Sequence, residues 1–126
     1  MYEIKGRIAE DQNAHWVIED AQDIVEAIKV ALDNGMYEIY AVHLSKVKEV
    51  IGGSDGHWYR ATLKEERIEE QQNGKKPKVR TVTSQMLVGA DDFKKASAIL
   101  DAQIAQGYDL VTYGMTESHI DDIIKA

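Results

Sequence analysis

The chain has 126 residues, of which 44% are hydrophobic, and it carries a formal net charge of -7. This length and composition are typical of one globular domain, or of two small halves that share a core. The acidic charge argues against a general nucleic-acid binder, and the absence of cysteine excludes disulfides and thiolate chemistry. Because no apolar run approaches about twenty residues, we expect no membrane span.

Alternation of apolar and polar residues predicts the first two elements. Residues 2–10 alternate as expected for a strand with one buried face, and Glu3 falls on the polar face. After a short turn, residues 14–18 predict a second strand. We expect this strand to pair antiparallel with the first because the connecting loop is short.

The next stretch predicts a helix, a strand and a short helix. Asp23 suits the N-cap of the helix, and Gly35 suits the left-handed position that ends it. The residues of its predicted buried stripe are Ile24, Ala27, Ile28 and Ala31. Residues 36–44 are aromatic, β-branched and roughly alternating, which is typical of a strand. Aliphatic residues with helical spacing then predict a short helix over 45–51.

A Gly-rich stretch predicts a linker at 52–57. Gly-rich loops can also cradle phosphate groups. This one lacks the Lys-Ser/Thr pair and the strand-to-helix setting of a P-loop, so we interpret it as a linker.

A long hairpin opens the second half of the chain. Residues 57–63 predict a strand that mirrors the first strand, and a charged run continues it to residue 70. Asn73 and Gly74 predict a tight turn, and residues 78–88 predict the return strand. Because this hairpin is longer than its counterpart in the first half, we expect its outer part to project from the body.

A second helix, a strand and a short helix follow in the order of the first half. Asp91 or Asp92 suits the N-cap, and Gly107 suits the end of the helix. The predicted apolar face consists of Phe93, Ala96 and Leu100. Residues 108–113 predict the strand, and residues 118–124 predict the second short helix.

The repeated order of elements predicts an internal duplication. We expect an α+β fold with a mainly antiparallel sheet, in which two strand-strand-helix-strand(-short helix) units are related by a pseudo-twofold axis. The two units, 1–51 and 58–126, make one compact domain. They either merge into one sheet or pack face to face, and the sequence does not choose between these arrangements.

The second half resembles a known family. The residues that carry the resemblance are Trp58, Tyr59, Met86, Leu87, Val88 and Ala90, with a Gly-Lys turn at 74–75. They resemble a small family of uncharacterised proteins from Bacteroidetes bacteria, their phages and mobile elements, and the resemblance extends back to Tyr2. It implies a phage or mobile-element setting. It carries over no catalytic residue, because no activity is established for that family.

No group of residues in the sequence predicts catalysis. The four histidines lack the spacing of common metal motifs. Adjacent carboxylates occur at 91–92 and 121–122, but neighbours on a helix point about 100° apart and do not face each other as an acid/base pair. The serines lack the context of a nucleophile elbow. We therefore expect no enzyme, no catalytic residue, no metal and no cofactor.

Two groups of residues are candidates for binding. The basic group consists of Lys75, Lys76, Lys78 and Arg80, opposite an acidic run at 65–70. It either pairs across the hairpin or binds phosphate or an acidic partner. The aromatic group consists of Trp16, Trp58 and Tyr59. It either packs against the core or stacks a base or nucleotide.

These observations favour a non-catalytic binding or regulatory protein of phage or mobile-element type. We expect it to bind a host or phage protein through the long hairpin and exposed strand edges. The alternative is a nucleotide or nucleic-acid binding protein that uses the basic hairpin tip and the aromatic residues. A homodimer is compatible with the sequence. The lack of cysteine and of a signal peptide predicts the cytoplasm of a bacterial host.

Overall fold

The computed structural model of the chain describes residues 1–53, 57–70, 74, 76–106 and 111–126, without the side chains of 67–69. Its elements are β1 (Tyr2–Ala9), β2 (Gln12–Glu19), α1 (Ile24–Asp33), β3 (Glu38–Leu44), β4 (Val47–Gly52), β5 (His57–Glu69), β6 (Lys78–Ala90), α2 (Phe93–Ala105), β7 (Val111–Glu117) and β8 (Asp122–Lys125). Part of the predicted linker 52–57 lies outside the described residues. So do Asn73, Lys75, Gly107 and the predicted strand start at 108–110.

The fold class is α+β, as predicted. The described strands form two four-stranded, mainly antiparallel sheets. Sheet A has the strand order β3-β1-β2-β8, and sheet B has the order β4-β6-β5-β7. The two halves of the chain therefore do not merge into a single sheet. The element order β-β-α-β-β occurs twice, while a duplication of the sequence stays a prediction.

The chain divides into two compact units. Unit 1 consists of Met1–Lys48 and His119–Ala126, and unit 2 consists of Glu49–Ser118. These units differ from the sequence halves 1–51 and 58–126 because each half sends its last strand into the other half's sheet. β4 pairs with β6 in sheet B, and β8 pairs with β2 in sheet A.

The two predicted short helices, 45–51 and 118–124, are wrong. The structure has the strands β4 and β8 at these places. Both segments are rich in valine or isoleucine, which favour strands. A helical spacing over seven residues is also too short to separate a helix from a strand that finds a pairing partner. β8 finds that partner in β2, with which it pairs in parallel from Trp16↔Asp122 to Glu19↔Lys125.

Unit 1 has its core between α1 and one face of sheet A. β1 and β2 pair antiparallel, as predicted. The buried cluster consists of Ile4, Ala14, Trp16, Ile18, Ala27, Ala31 and Met36. Asp23 caps α1 by accepting the backbone N–H of Glu26 at 2.8 Å, and Gly35 has φ +106°, so both predicted helix ends are confirmed. Ile24, predicted in the buried stripe, is exposed, because α1 contacts the sheet through its alanines.

Unit 2 has its core between α2 and sheet B. β5 and β6 pair over their full length, from His57↔Ala90 to Glu69↔Lys78. The cluster consists of Tyr59, Ala61, Leu63, Met86, Val88, Ala90, Ala96 and Leu100. Asp92 caps α2 by accepting the backbone N–H of Lys95 at 2.7 Å. No helix in the described part of the chain is long and apolar enough to cross a membrane.

The buried Tyr59 predicts a loss of stability in alkaline solution. Burial raises the pKa of its phenol, and the carboxylates of Glu117 and Asp92 raise it further. Because the folded state holds this proton more tightly than the unfolded chain, the stability it contributes is present below about pH 10 and lost as the pH rises through the folded pKa. The free energy of unfolding, measured in urea, should therefore fall less between pH 8 and pH 11 for Tyr59→Phe than for the wild type. The exposed control Tyr37→Phe should behave as the wild type, and equal losses in all three proteins would contradict this assignment.

Candidate binding site

Glu3 lies in a polar cluster on the face of sheet A opposite α1. Alternation placed it on the polar side of β1, yet its side chain is only 3% exposed. His15 Nε2 lies 3.0 Å from Glu3 Oε1, and Ser45 Oγ donates to Glu3 Oε2 at 2.8 Å. His43 Nε2 lies 3.5 Å from Glu3 Oε2. We call these four residues, Glu3, His15, His43 and Ser45, the Glu3 cluster.

The strand register brings the Glu3 cluster together. His43 is directly opposite Glu3 in the β1–β3 pair, and His15 is opposite Lys5, one step along the same face, in the β1–β2 pair. Ser45 follows β3, and its backbone N–H donates to the carbonyl of Met1 at 2.9 Å. The cluster thus connects three strands, and its hydrogen bonds offset the cost of burying a carboxylate.

The geometry of the Glu3 cluster fits a structural role better than a catalytic one. The hydroxyl of Ser45 donates to Glu3, so it is not aligned with an imidazole that could remove its proton. Among the described residues, no group of histidine, aspartate and glutamate side chains has the arrangement of a metal site. No local sequence pattern predicts this cluster, because Glu3 and the histidines are distant in sequence. The predicted antiparallel pairing of the first two strands was the one signal that could have brought Glu3 and His15 together.

A pocket of about 240 Å³ adjoins the cluster at His15. Its lining consists of Lys5, Gly6, Asn13, Ala14, His15, Tyr40 and Asp121. Three of the lining side chains are held in place by their neighbours. The carboxylate of Asp121 accepts the backbone N–H of His15 at 2.7 Å, and the Asp121 N–H donates to the His15 carbonyl at 2.8 Å. Glu3 holds the His15 ring, and Arg7 holds Tyr40.

Arg7 fixes the Tyr40 side chain at the edge of the sheet. Its Nε donates to the Tyr40 hydroxyl at 2.8 Å, and its guanidinium lies 5.9 Å from the centroid of the tyrosine ring. Glu38 lies 3.6 Å from the same nitrogen. The hydrogen bond to Tyr40 and the charge of Glu38 raise the pKa of Arg7, so the guanidinium stays charged. By contrast, the Lys5 ammonium is exposed and has no ion-pair partner among the described residues.

β3 is an edge strand of sheet A with exposed apolar side chains. It pairs with β1 on one side. In this pairing Lys5 is opposite Ala41 and Gly6 is opposite Ile39, so Tyr40 is the extra residue of a β-bulge. Tyr40 and two flanking residues, Tyr37 and Leu44, are 50%, 55% and 66% exposed, respectively. We call these three residues the β3 edge surface.

The structure separates the two groups of residues that the sequence suggested for binding. Trp16, Trp58 and Tyr59 are 7%, 8% and 5% exposed, which leaves little ring surface for a ligand. Lys76, Lys78 and Arg80 are exposed at the far end of the hairpin, whereas Lys75 lies outside the described residues. Trp58 pairs with Gly89, nine residues beyond Arg80 on β6, which corresponds to about 30 Å along the strand. The aromatic residues of β5 and the basic group of β6 therefore do not form one site.

Comparison with known proteins identifies a family for most of the chain. A family model described as a domain of unknown function (DUF4494) matches residues 12–126. The searches of curated proteins and of solved structures found no match.

Proposed function

The chain belongs to the DUF4494 family of domains of unknown function, and we propose that it is a non-catalytic binding and regulatory protein. In this proposal, an extended segment of a partner protein pairs with the edge of β3 that no described strand occupies. The observation that carries the proposal is the β3 edge surface: Tyr37 just before β3, and Tyr40 and Leu44 within it, are exposed on a strand whose second edge pairs with no described strand. Strand addition of this kind takes affinity from the main chain and specificity from side-chain pockets beside the strand.

The other described sheet edges are less suited to this role. Natural edge strands are commonly protected by lysine, proline or short length. β8 has only four residues and ends in a lysine, and β4 has six residues and contains Lys48. β7 exposes small or polar residues, namely Thr112, Gly114 and Thr116. β3 has seven residues and contains neither lysine nor proline. Its exposed Tyr40 is also of a residue type that is enriched in protein interfaces.

A second candidate function is nucleotide or nucleic-acid binding at the hairpin end. The exposed positions of Lys76, Lys78 and Arg80 favour it, because clustered cations bind phosphate. The burial of the aromatic residues removes the stacking part of that hypothesis. What remains is an electrostatic site on a chain with a net charge of -7, so we rank it second.

For the cellular setting, we propose a phage or mobile-element protein in the cytoplasm of a bacterial host. The support is the resemblance of the hairpin and helix residues described above, together with a chain that contains no cysteine. The partner in this setting is a host or phage protein.

Substitutions at the β3 edge surface test the first proposal. We expect the double variant Tyr37→Lys/Leu44→Lys to weaken capture of a partner from nuclease-treated bacterial lysate at least about tenfold, because losing one hot-spot side chain of an interface, commonly a tyrosine, costs about 2 kcal/mol or more. Both residues are exposed, so the melting temperature should stay close to that of the wild type. Val25→Lys, at a 71% exposed residue of α1, is the matched control and should leave capture unchanged. A photo-crosslinker at position 44 should label the same partner, and one at position 25 should not.

The same capture experiment distinguishes the two candidate functions. Binding that survives nuclease and moderate salt but is lost in the β3 variant supports strand addition. Binding that falls steeply with salt, and that is lost when Lys76, Lys78 and Arg80 are changed to glutamate, supports the hairpin site. If the β3 variant captures the partner as well as the wild type does, the first proposal is contradicted.

A further inference from the structure

The pocket beside β3 is placed to receive a side chain of the partner segment. In sheet A the order β3-β1-β2-β8 puts Lys5 on the strand next to β3 and Asp121 beside the far strand. A strand added to β3 directs alternate side chains onto the pocket face of the sheet. The added strand would lie two strand spacings from β1, which is about 10 Å. Two long side chains, one from each strand, can bridge this distance.

The groups on the β3 side of this pocket are hydrogen-bond donors. The Lys5 ammonium has no polar partner among the described residues and carries three N–H donors. The Tyr40 hydroxyl accepts from Arg7, which leaves its own proton for another acceptor. Asp121 is the one carboxylate among the described lining residues; it is on the β8 side and accepts the His15 backbone N–H.

We propose that the pocket binds a carboxylate, and that the partner segment therefore carries an aspartate or glutamate side chain where it crosses Tyr40. The carboxylate accepts hydrogen bonds from the Lys5 ammonium and the Tyr40 hydroxyl. This inference rests on the proposed strand addition at β3 and specifies its sequence preference. Arg7 contributes indirectly, because it positions the Tyr40 hydroxyl and is itself paired with Glu38.

The specificity of the pocket can be read directly from peptide selection. A displayed library of random twelve-residue peptides is selected on the wild type, on Lys5→Gln and on the control Lys29→Gln, which alters an exposed lysine of α1. The wild type and Lys29→Gln should enrich peptides with one acidic residue among alternating apolar residues. Lys5→Gln should enrich the apolar pattern without the acidic residue. Lys5 is exposed, so its variant should keep the wild-type melting temperature.

A double-mutant cycle with one selected peptide then tests the contact itself. Changing the peptide's acidic residue to its amide should weaken binding to the wild type by about tenfold or more, as expected for a charge-assisted hydrogen bond, and should hardly change binding to Lys5→Gln. Selected peptides that lack an acidic residue, or that carry a basic one, would overturn the carboxylate site but leave strand addition standing if Leu44→Lys still abolishes their binding. If no peptide is enriched, or if Leu44→Lys leaves peptide binding unchanged, the proposal of strand addition is overturned, and the proposed carboxylate site is overturned with it.

Discussion

Replacing Gly6 with alanine should destabilise unit 1 by up to about 3 kcal/mol, the upper end of the range of about 1–3 kcal/mol that an extra methyl group typically costs in a packed site. A Cβ at this position would overlap the carbonyl oxygen of Glu38 and would lie 2.5 Å from Met36 Sδ and 2.9 Å from Met36 Cγ. Neither neighbour can yield cheaply. Glu38 is in the strand that pairs with Gly6, and Met36 is only 1% exposed within the core cluster of unit 1. The close approach occurs where β3 carries its bulge, so a side chain at Gly6 would also disturb the setting of Tyr40.

Gly114→Ala is the matched control for Gly6→Ala. Gly114 is also a strand residue, and a Cβ there meets no atom of the described residues within 4 Å. Because Gly114 belongs to unit 2, we expect this control to leave the unfolding midpoint of unit 1 unchanged. Urea unfolding, followed by Trp16 fluorescence in a Trp58→Phe background, reports on unit 1 for both variants. Equal midpoints for the two variants would contradict the packing at Gly6.

Local signals predicted the helices and most strands correctly. The caps at Asp23 and Asp92 and the left-handed glycine at Gly35 depend only on residues a few positions away, and all three are confirmed. The antiparallel pairing of β1 and β2 also follows from a short loop. Such features depend on chain geometry close in sequence, which a single sequence displays.

The wrong predictions concern segments whose structure is decided by distant residues. β4 and β8 have aliphatic patterns that fit either a short helix or a strand, and only the partners β6 and β2 decide between them. Glu3 appeared as a solvent-facing residue because alternation cannot show what covers the outer face of a strand. The hydrogen-bond partners of its buried carboxylate, His15 and Ser45, lie 12 and 42 residues away.

The candidate site was predicted only in outline. The sequence indicated that exposed strand edges could bind a protein, but it did not show that β3 is an edge strand, because that depends on the order of strands in sheet A. It also drew attention to tryptophan and tyrosine residues that the structure buries. The exposed Tyr37 and Tyr40 lie in a strand predicted from the same kind of aromatic, β-branched pattern. A single sequence ranks residue types by their chemistry, whereas exposure decides which of them can contact a partner.

Deleting residues 119–126 should remove most of the stability of unit 1. The deletion takes away Ile120, which is 5% exposed, the whole of β8, and the paired hydrogen bonds between Asp121 and His15. Losing one buried isoleucine side chain costs about 2–5 kcal/mol, a large share of the roughly 5–15 kcal/mol that holds a small protein folded. The backbone groups of β2 that pair with β8 would lose their partners as well. We expect Trp16 fluorescence, again in the Trp58→Phe background, to show unit 1 largely unfolded at 25 °C or melting far below the full-length chain.

Adding the deleted segment back separately tests whether the strand pairing causes this loss. A synthetic peptide of residues 119–126 should restore the Trp16 signal in a concentration-dependent way, because binding to the folded state alone stabilises it by mass action. A peptide of the same composition in scrambled order should not restore it. A truncated chain that keeps the full-length melting curve would show that β8 contributes little to sheet A. The expected result would instead show that sheet A of unit 1 is incomplete until residues 122–125 pair with β2. The fold of the first half of the chain would then depend on the second half.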